Sequence, residues 1–260
     1  MFINTDFTYD GILSSDMNVH IISTKSGMVE MPFGYSREII EESVPFRSQP
    51  YFFGFQRKCM TLEIELGKIG ENEKDTEWTY EEKKKLVEWF WQKDYKPFIS
   101  LDNPELIYYC TPVGDSTRFD NGYAHGYVKL QLRCNSPHAY SPTYVKSYDY
   151  QVGVLNIIEI TNPSNVNEYY YPEVQFKMMN STSITIRNLT TGEEFTFTGL
   201  NIGENIYVDN SLKQIETDML DTYRLSNFNK KWLRLVKGVN RLEIIGKVNV
   251  VFRSSYPISI

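Results

Sequence analysis

Met60-Thr-Leu-Glu-Ile-Glu-Leu66 decides how the chain is read. Its apolar residues fall at 60, 62, 64 and 66, with Thr61, Glu63 and Glu65 between them. A period of two puts Met60, Leu62, Ile64 and Leu66 on one face of a strand and both glutamates on the other. Tyr127–Cys134 repeats the pattern, with Val128, Leu130, Leu132 and Cys134 facing in and Lys129, Gln131 and Arg133 facing out. Shorter strand candidates are Val19–Ile22, Tyr51–Phe55, Pro97–Leu101 and Leu106–Cys110. One helix is expected among them, over about residues 79–94. Thr79-Tyr-Glu-Glu82 has the spacing of a capping box, and Lys93 would suit the negative end of the helix dipole. Leu86 with Phe90 and Val87 with Trp91 line adjoining strips that should pack on a sheet. Lys83, Lys84 and Lys85 read as a solvated helical face, because acidic residues flank them.

Farther along, nearly everything alternates. Val174, Phe176 and Met178 make one strand face, followed by Ile184 with Ile186 and Phe195 with Phe197. Asp209-Asn210-Ser211 has the chemistry of a hairpin turn between Asn205–Val208 and Leu212–Ile215. Leu242 and Ile244, then Val248, Val250 and Phe252, complete the set, with Gly246-Lys247 as the reversal. Short strands separated by turns at near-regular intervals indicate a sandwich. Asn135–Tyr150 contains two Ser-Pro steps and no clear period, so it reads as the boundary. The expected organisation is a first β-sandwich domain with one packed helix over residues 1–137, a linker over 138–150, and a second β-sandwich over 151–260.

Composition agrees with a mainly β protein. Of 260 residues, 15% are aromatic, led by 19 Tyr and 15 Phe, side chains that favour sheets. The formal net charge is −6, and it is unevenly spread: residues 1–135 carry 21 acidic and 15 basic side chains, the remainder 12 of each. An acidic chain is a poor binder of nucleic-acid backbone. Three cysteines, none in a Cys-x-x-Cys, make a disulfide framework an unattractive reading and favour a reducing compartment. No basic-then-apolar signal segment opens the sequence, and no run approaches the ~20 apolar residues of a membrane helix.

Motifs for chemistry are scarce. His20, His125 and His138 lie far apart, in no metal-ligand spacing. Gly67-Lys68-Ile69-Gly70 lacks the Gly-Lys-Ser/Thr ending of a phosphate loop, and Glu71 and Glu73 follow it. No Gly-x-Ser-x-Gly is present. No catalytic residue, metal ligand or cofactor is therefore assigned. The candidate partner contacts are aromatic: Tyr169, Tyr170 and Tyr171, an extended run that must point some rings outward, and Trp232. For both, a binding platform and ordinary packing stay open as readings.

The order of features resembles the distal tail protein (Dit) family of long-tailed bacteriophages along essentially the whole length. Phe7-Thr-Tyr-Asp-Gly11 and Ser14-Ser-Asp-Met-Asn-Val19 look like the family's start. Tyr51-Phe-Phe-Gly54, the strand at 60–66, Trp89-Phe-Trp91, Tyr95-Lys-Pro97 and Tyr127–Cys134 with Asn135-Ser-Pro137 follow in family order. Ile206-Tyr-Val-Asp209 and Leu235-Val-Lys-Gly-Val-Asn240 resemble the second domain's hairpin and closing strand. The resemblance implies a tail-tube-like first domain whose six copies close into a ring, and a galectin-like second domain outside it. It implies a structural, non-catalytic hub at the virion tail tip, assembled in the host cytoplasm. The implied partners are the tail tube protein, a tail-associated hub protein and receptor-binding or baseplate proteins, with DNA passing through the channel unbound and no membrane involved. On this view several of the first half's carboxylates face the channel, and Tyr51, Phe52, Phe53 and Phe55 either meet a ring neighbour or pack in the protomer's own core. The alternative function is a cell-wall saccharide-binding module.

Overall fold

The computed structural model describes residues 6–23, 34, 36–68, 76–120, 126–150 and 156–259. Expectations placed on His125, on Ile69-Gly70 and on Glu71 and Glu73 lie outside them. The chain is mainly β and divides into two units, residues 1–141 with 258–260, and residues 142–257.

In the first unit the strands are β1 (Phe7–Tyr9), β2 (Ile12–Leu13), β3 (His20–Ile21), β4 (Arg37–Glu42), β5 (Tyr51–Arg57), β6 (Thr61–Gly67), β7 (Lys96–Ser100), β8 (Tyr108–Asp120), β9 (Gly126–Cys134) and β10 (Ala139–Tyr140). Seven of them form one antiparallel sheet in the order β2-β1-β7-β8-β9-β6-β3. The decisive stretch behaves as its alternation requires. Leu62, Ile64 and Leu66 of β6 are buried, and they pair with Leu132, Leu130 and Val128 of β9. On the outer face Glu63 meets Gln131 in register and holds Lys129 at 2.9 Å.

The single helix, α1 (Tyr80–Phe90), starts as the sequence prescribes. Thr79 Oγ1 accepts the Glu82 N–H at 3.3 Å, and Glu82 Oε2 accepts the Thr79 N–H at 2.9 Å. It ends earlier than expected. The Gln92 side chain donates to the Glu88 carbonyl at 2.7 Å and satisfies the last turn, so Lys93 lies beyond the helix. The buried stripe is Leu86, Trp89 and Phe90; Val87 and Trp91, expected to share it, are half exposed. Trp89 displaces them because its indole N–H reaches the Tyr9 carbonyl at 2.8 Å and its ring stacks on Phe7 at 5.8 Å. The core of this unit lies between α1 and the sheet.

Two sequence features acquire plain structural roles here. Lys68, in the Gly67-Lys68 pair that lacks a phosphate-loop ending, is 5% exposed at its side chain and is held by the Glu82 carboxylate at 2.8 Å and the Glu77 carbonyl at 2.7 Å. Burial would raise the Glu82 pKa, but hydrogen bonds from Lys68 and Thr79 outweigh it and carry it from 4.5 down to about 2. A depressed carboxyl stabilises the fold fully above 4.5, and that contribution is lost as pH falls through this value toward about 2. Glu82→Gln should therefore be less stable than the parent above 4.5, with urea midpoints converging as the pH approaches 2. Cys110 faces Cys134 across β8 and β9; both are free thiols whose pKa burial pushes up, Cys134 to about 12, so neither is a ready nucleophile.

The 138–150 stretch, read as a linker, instead carries strands. β10 bridges Tyr140 to Ile107, and β11 (Tyr144–Tyr148) joins a sheet of the second unit by pairing with β19 (Val248–Ser254). Its lone alternating residues gave no periodic signal because only Tyr148 is buried.

The second unit continues with β12 (Ile157–Asn162), β13 (Glu173–Met178), β14 (Ile184–Asn188), β15 (Glu193–Phe197), β16 (Asn205–Asp209), β17 (Gln214–Thr217) and β18 (Gly238–Ile245). A five-stranded sheet, β11-β19-β13-β16-β17, and a four-stranded sheet, β12-β18-β14-β15, bury one shared core. Val174, Phe176, Met178, Ile184, Ile186, Phe195 and Phe197 all enter it. Gly246 turns β18 into β19 at φ +128, where an added Cβ would sit 2.7 Å from the Ser183 carbonyl oxygen. At the 209–213 turn, Asp209 Oδ1 accepts the N–H groups of Ser211 and Leu212 at 2.9 and 2.8 Å, so the return strand begins at Gln214 and not at Leu212.

Candidate interaction surfaces

β4 and β5 form a two-stranded ribbon that pairs with none of the larger sheets. Every residue of the ribbon except Gly54 is exposed. Ile39 lies opposite Phe55 and Ile40 opposite Gly54; then the register shifts, because Phe53 has no partner and Glu41 faces Phe52. The extra residue shifts the alternation by one, and Gly54 at φ +136 supplies the backbone conformation for it. Phe52 and Phe55, three apart, consequently meet edge to face at 5.1 Å. Arg37 covers Phe55 at 4.4 Å and Arg47 covers Tyr51 at 3.8 Å. Phe53 remains 65% exposed, and Phe46, in the loop that joins the strands, is fully exposed. Tyr51, Phe52, Phe53 and Phe55 thus belong to neither protomer core. The sequence marked this strand but not its partner: Arg37-Glu-Ile-Ile-Glu-Glu42 has adjacent isoleucines among charges and no period of two.

The second surface gathers the other aromatic candidates, in the second unit. Along Tyr169–Tyr171 the rings alternate. Tyr170 turns inward, bridges Leu235, packs at 4.6 Å on Tyr256 and accepts the Ser255 N–H at 2.8 Å. Its neighbours turn the other way. Tyr169 is half exposed and lies under the Arg234 guanidinium at 3.9 Å. Tyr171 and Trp232 border a cleft of about 320 Å³ whose rim also includes Glu193, Glu194 and Lys213. Trp232 is half buried, its ring braced by Phe228 at 4.8 Å. Arg234 grips both oxygens of Glu193, with Nε at 2.7 Å from Oε2, and its hydrogen bonds hold that carboxyl below its ordinary pKa. Glu194 is held by Arg187 at 2.7 Å. Glu193 and Arg234 carried no motif in the sequence; they lie 41 positions apart and meet only through the fold.

Of the other sequence candidates, His20 sits in β3 with Nδ1 2.7 Å from Asp6. Asn188, which lines the same cleft as Trp232, is fully buried and donates to Asn240 Oδ1 at 3.2 Å. Among the described residues no group of three or more His, Cys, Asp or Glu side chains is placed to hold a metal, and no helix is long and apolar enough to cross a membrane.

Two family models match consecutive parts of the chain. One described as a phage tail protein N-terminal domain matches residues 2–136, and one described as a phage tail C-terminal domain matches residues 140–254. The chain belongs to this phage tail protein family. The tail protein is 28% identical over 252 residues to the SPbeta prophage-derived uncharacterized protein YomH of Bacillus subtilis (strain 168), covering 96% of each chain. Its fold is that of SPP1 Dit (gp 19.1), described as a paradigm of the hub adsorption apparatus in Gram-positive-infecting phages. The TM-score is 0.70 at 16% identity, over 96% of this chain and 98% of that one. A chain of the phage P2 baseplate in its activated conformation with Ca matches with a TM-score of 0.51 at 10% identity, over 95% and 97% of the two chains. The Dit resemblance drawn from the order of sequence features is thereby met in the fold, and its phage-tail character in the family.

Proposed function

We propose that this tail protein is the structural hub of the tail tip, and that six copies close into a ring through their first units. The ring joins the tail tube to a hub protein and to the receptor-binding or baseplate proteins below, and leaves an axial channel for DNA. Several carboxylates of the acidic first unit face that channel and repel passing phosphates. The galectin-like second unit stands outside. No step of this role is catalytic, and its place is the virion tail tip, assembled in the host cytoplasm.

The β4–β5 ribbon is the observation that carries the reading. A two-stranded ribbon is marginally stable by itself in water, and a contiguous exposed apolar patch marks an interaction site. Tyr51, Phe52, Phe53 and Phe55, with Ile39 and Ile40 opposite, need a neighbour to cover them. A closed ring covers the same patch on every copy and removes its free strand edges.

Mass in solution tests it. The purified chain, alone or with its tail tube partner, should give a species near six times the 30.5 kDa protomer by light scattering. Replacing Phe52 and Phe53 together by Glu should return it to the protomer while the circular dichroism spectrum stays that of a folded sheet protein. A protomer under both conditions, or a ring indifferent to the two substitutions, refutes the assignment.

A further inference from the structure

We infer that the cleft beside Trp232 is a binding site for a saccharide ring that bears an anionic substituent. The inference concerns the second unit by itself and does not depend on ring formation.

Size comes first. At about 320 Å³ the cleft sits at the small end of the range that small-molecule sites occupy, enough for about one or two pyranose rings. Its chemistry is that of a sugar site. Tyr171 and Trp232 supply apolar ring faces with polar edges, which suit the C–H face and the hydroxyl rim of a pyranose. Trp232 is braced by Phe228, so its orientation is set before a ligand arrives. Its indole N–H also has no acceptor among the described residues. Those of Trp78 and Trp89 are taken, by the Gly126 carbonyl at 3.0 Å and the Tyr9 carbonyl at 2.8 Å. A half-buried indole without a protein acceptor, on a ring that lines a cleft, is the kind of donor that a ligand hydroxyl satisfies.

Charge then selects among sugars. Both rim carboxylates are already paired, Glu193 with Arg234 and Glu194 with Arg187, which Glu243 shares at 3.0 Å. Lys213 and Lys231 are left, both exposed and neither in an ion pair or side-chain hydrogen bond among the described residues. Lys213 is fixed at the mouth by the turn after Asp209, where its backbone is left-handed at φ 58. Two ammonium groups outside any close ion pair, of which Lys231 acts on Glu193 only at longer range, favour beside an aromatic platform a ring carrying a phosphate or a carboxylate over a neutral one. Glu193, immobilised by the bidentate arginine, keeps lone pairs that can accept hydroxyl protons and fix the ring's orientation.

Titration of the full chain tests the site, with glucose 6-phosphate, glucuronic acid, glucose and inorganic phosphate as probes, read by calorimetry and by saturation transfer from protein to ligand protons. One anionic sugar should bind saturably at one site per chain, at least about tenfold more tightly than glucose and than phosphate alone. Preference for glucose 6-phosphate identifies the substituent as a phosphate, preference for glucuronic acid as a carboxylate. Lys213→Glu with Lys231→Glu should weaken binding by about tenfold or more, and Trp232→Ala should abolish it. The two lysines are exposed, so the double variant keeps the test decisive even where loss of Trp232 disturbs packing on Phe228. Absence of saturable binding by either anionic sugar, equal binding of glucose, or affinity unchanged in the lysine variant overturns the assignment.

Discussion

Arg224→Ala should be the most damaging single substitution in the second unit, destabilising it by about 3–5 kcal/mol. Its partner, Glu204, has a fully buried carboxylate, and Arg224 itself is 10% exposed at the side chain. All of the carboxylate's demand is met locally. Oε1 accepts Arg224 Nε at 2.8 Å and the Thr217 hydroxyl at 2.6 Å, while Oε2 accepts Arg224 Nη2 at 2.8 Å and the Asn201 N–H at 2.9 Å. Burial would raise the Glu204 pKa, but these donors, Arg224 first, hold it below the ordinary carboxylate range. Removing the guanidinium leaves an ionised group in the protein interior with two neutral donors and no counter-charge. The cost of that orphan, and not the strength of the pair, is what the substitution measures. Changing both partners at once, Glu204→Gln with Arg224→Met, removes the buried charge and should recover much of the loss. Hydrogen exchange read by mass spectrometry checks this locally: peptides from β16 and β17 should lose protection in Arg224→Ala and regain it in the double variant, while those from β6 and β9 stay protected in both. If Arg224→Ala exchanges like the parent, the pair is no more than a surface contact.

Trp89→Ala should have the corresponding effect on the first unit, about 3–5 kcal/mol from the lost packing and the cavity left behind. Trp89 is 4% exposed and contacts three rings, Phe90 at 4.6 Å, Phe7 at 5.8 Å and Tyr9 at 6.0 Å. Its N–H also closes the Tyr9 carbonyl at 2.8 Å, and the Tyr9 hydroxyl reaches back to the Phe90 carbonyl at 3.2 Å. Helix and first strand are therefore tied in both directions, and truncation opens a void and frees a buried acceptor together. Trp89→Phe, which keeps most of the volume and loses the donor, should cost less, of the order of 1–2 kcal/mol. Urea unfolding followed by circular dichroism orders the three proteins. Equal midpoints for the Ala and Phe variants would show that the cavity contributes nothing.

Much of the fold was legible because its signals are local. The alternation in 60–66 and 127–134 needs only a sheet with one wet face, and the capping box at Thr79 needs only a helix start. The failures have physical causes. Trp89 took the place expected for Val87 and Trp91 because a hydrogen bond to Tyr9, 80 positions away, fixed the rotation of the helix. β11 escaped notice because an edge strand with one buried residue has no period to read. β4 did so because a ribbon exposed on both faces is under no pressure to alternate.

The candidate surfaces divide in the same way. That Tyr51–Phe55 is more apolar than a half-buried strand requires was visible in the residues, as was the need for the Tyr169–Tyr171 rings to split between two sides. Local pattern thus determined a mainly β chain with one helix, its acidic first half and the aromatic residues available for contact, since these follow from side-chain chemistry and nearest-neighbour periodicity. Only tertiary structure decided that the first aromatic set stands outside both cores, that Tyr170 and not Tyr169 turns inward, and that Glu193, Arg234 and Trp232 share one cleft. Those outcomes depend on which distant strands are brought together, and sequence spacing carries no record of distance across a core.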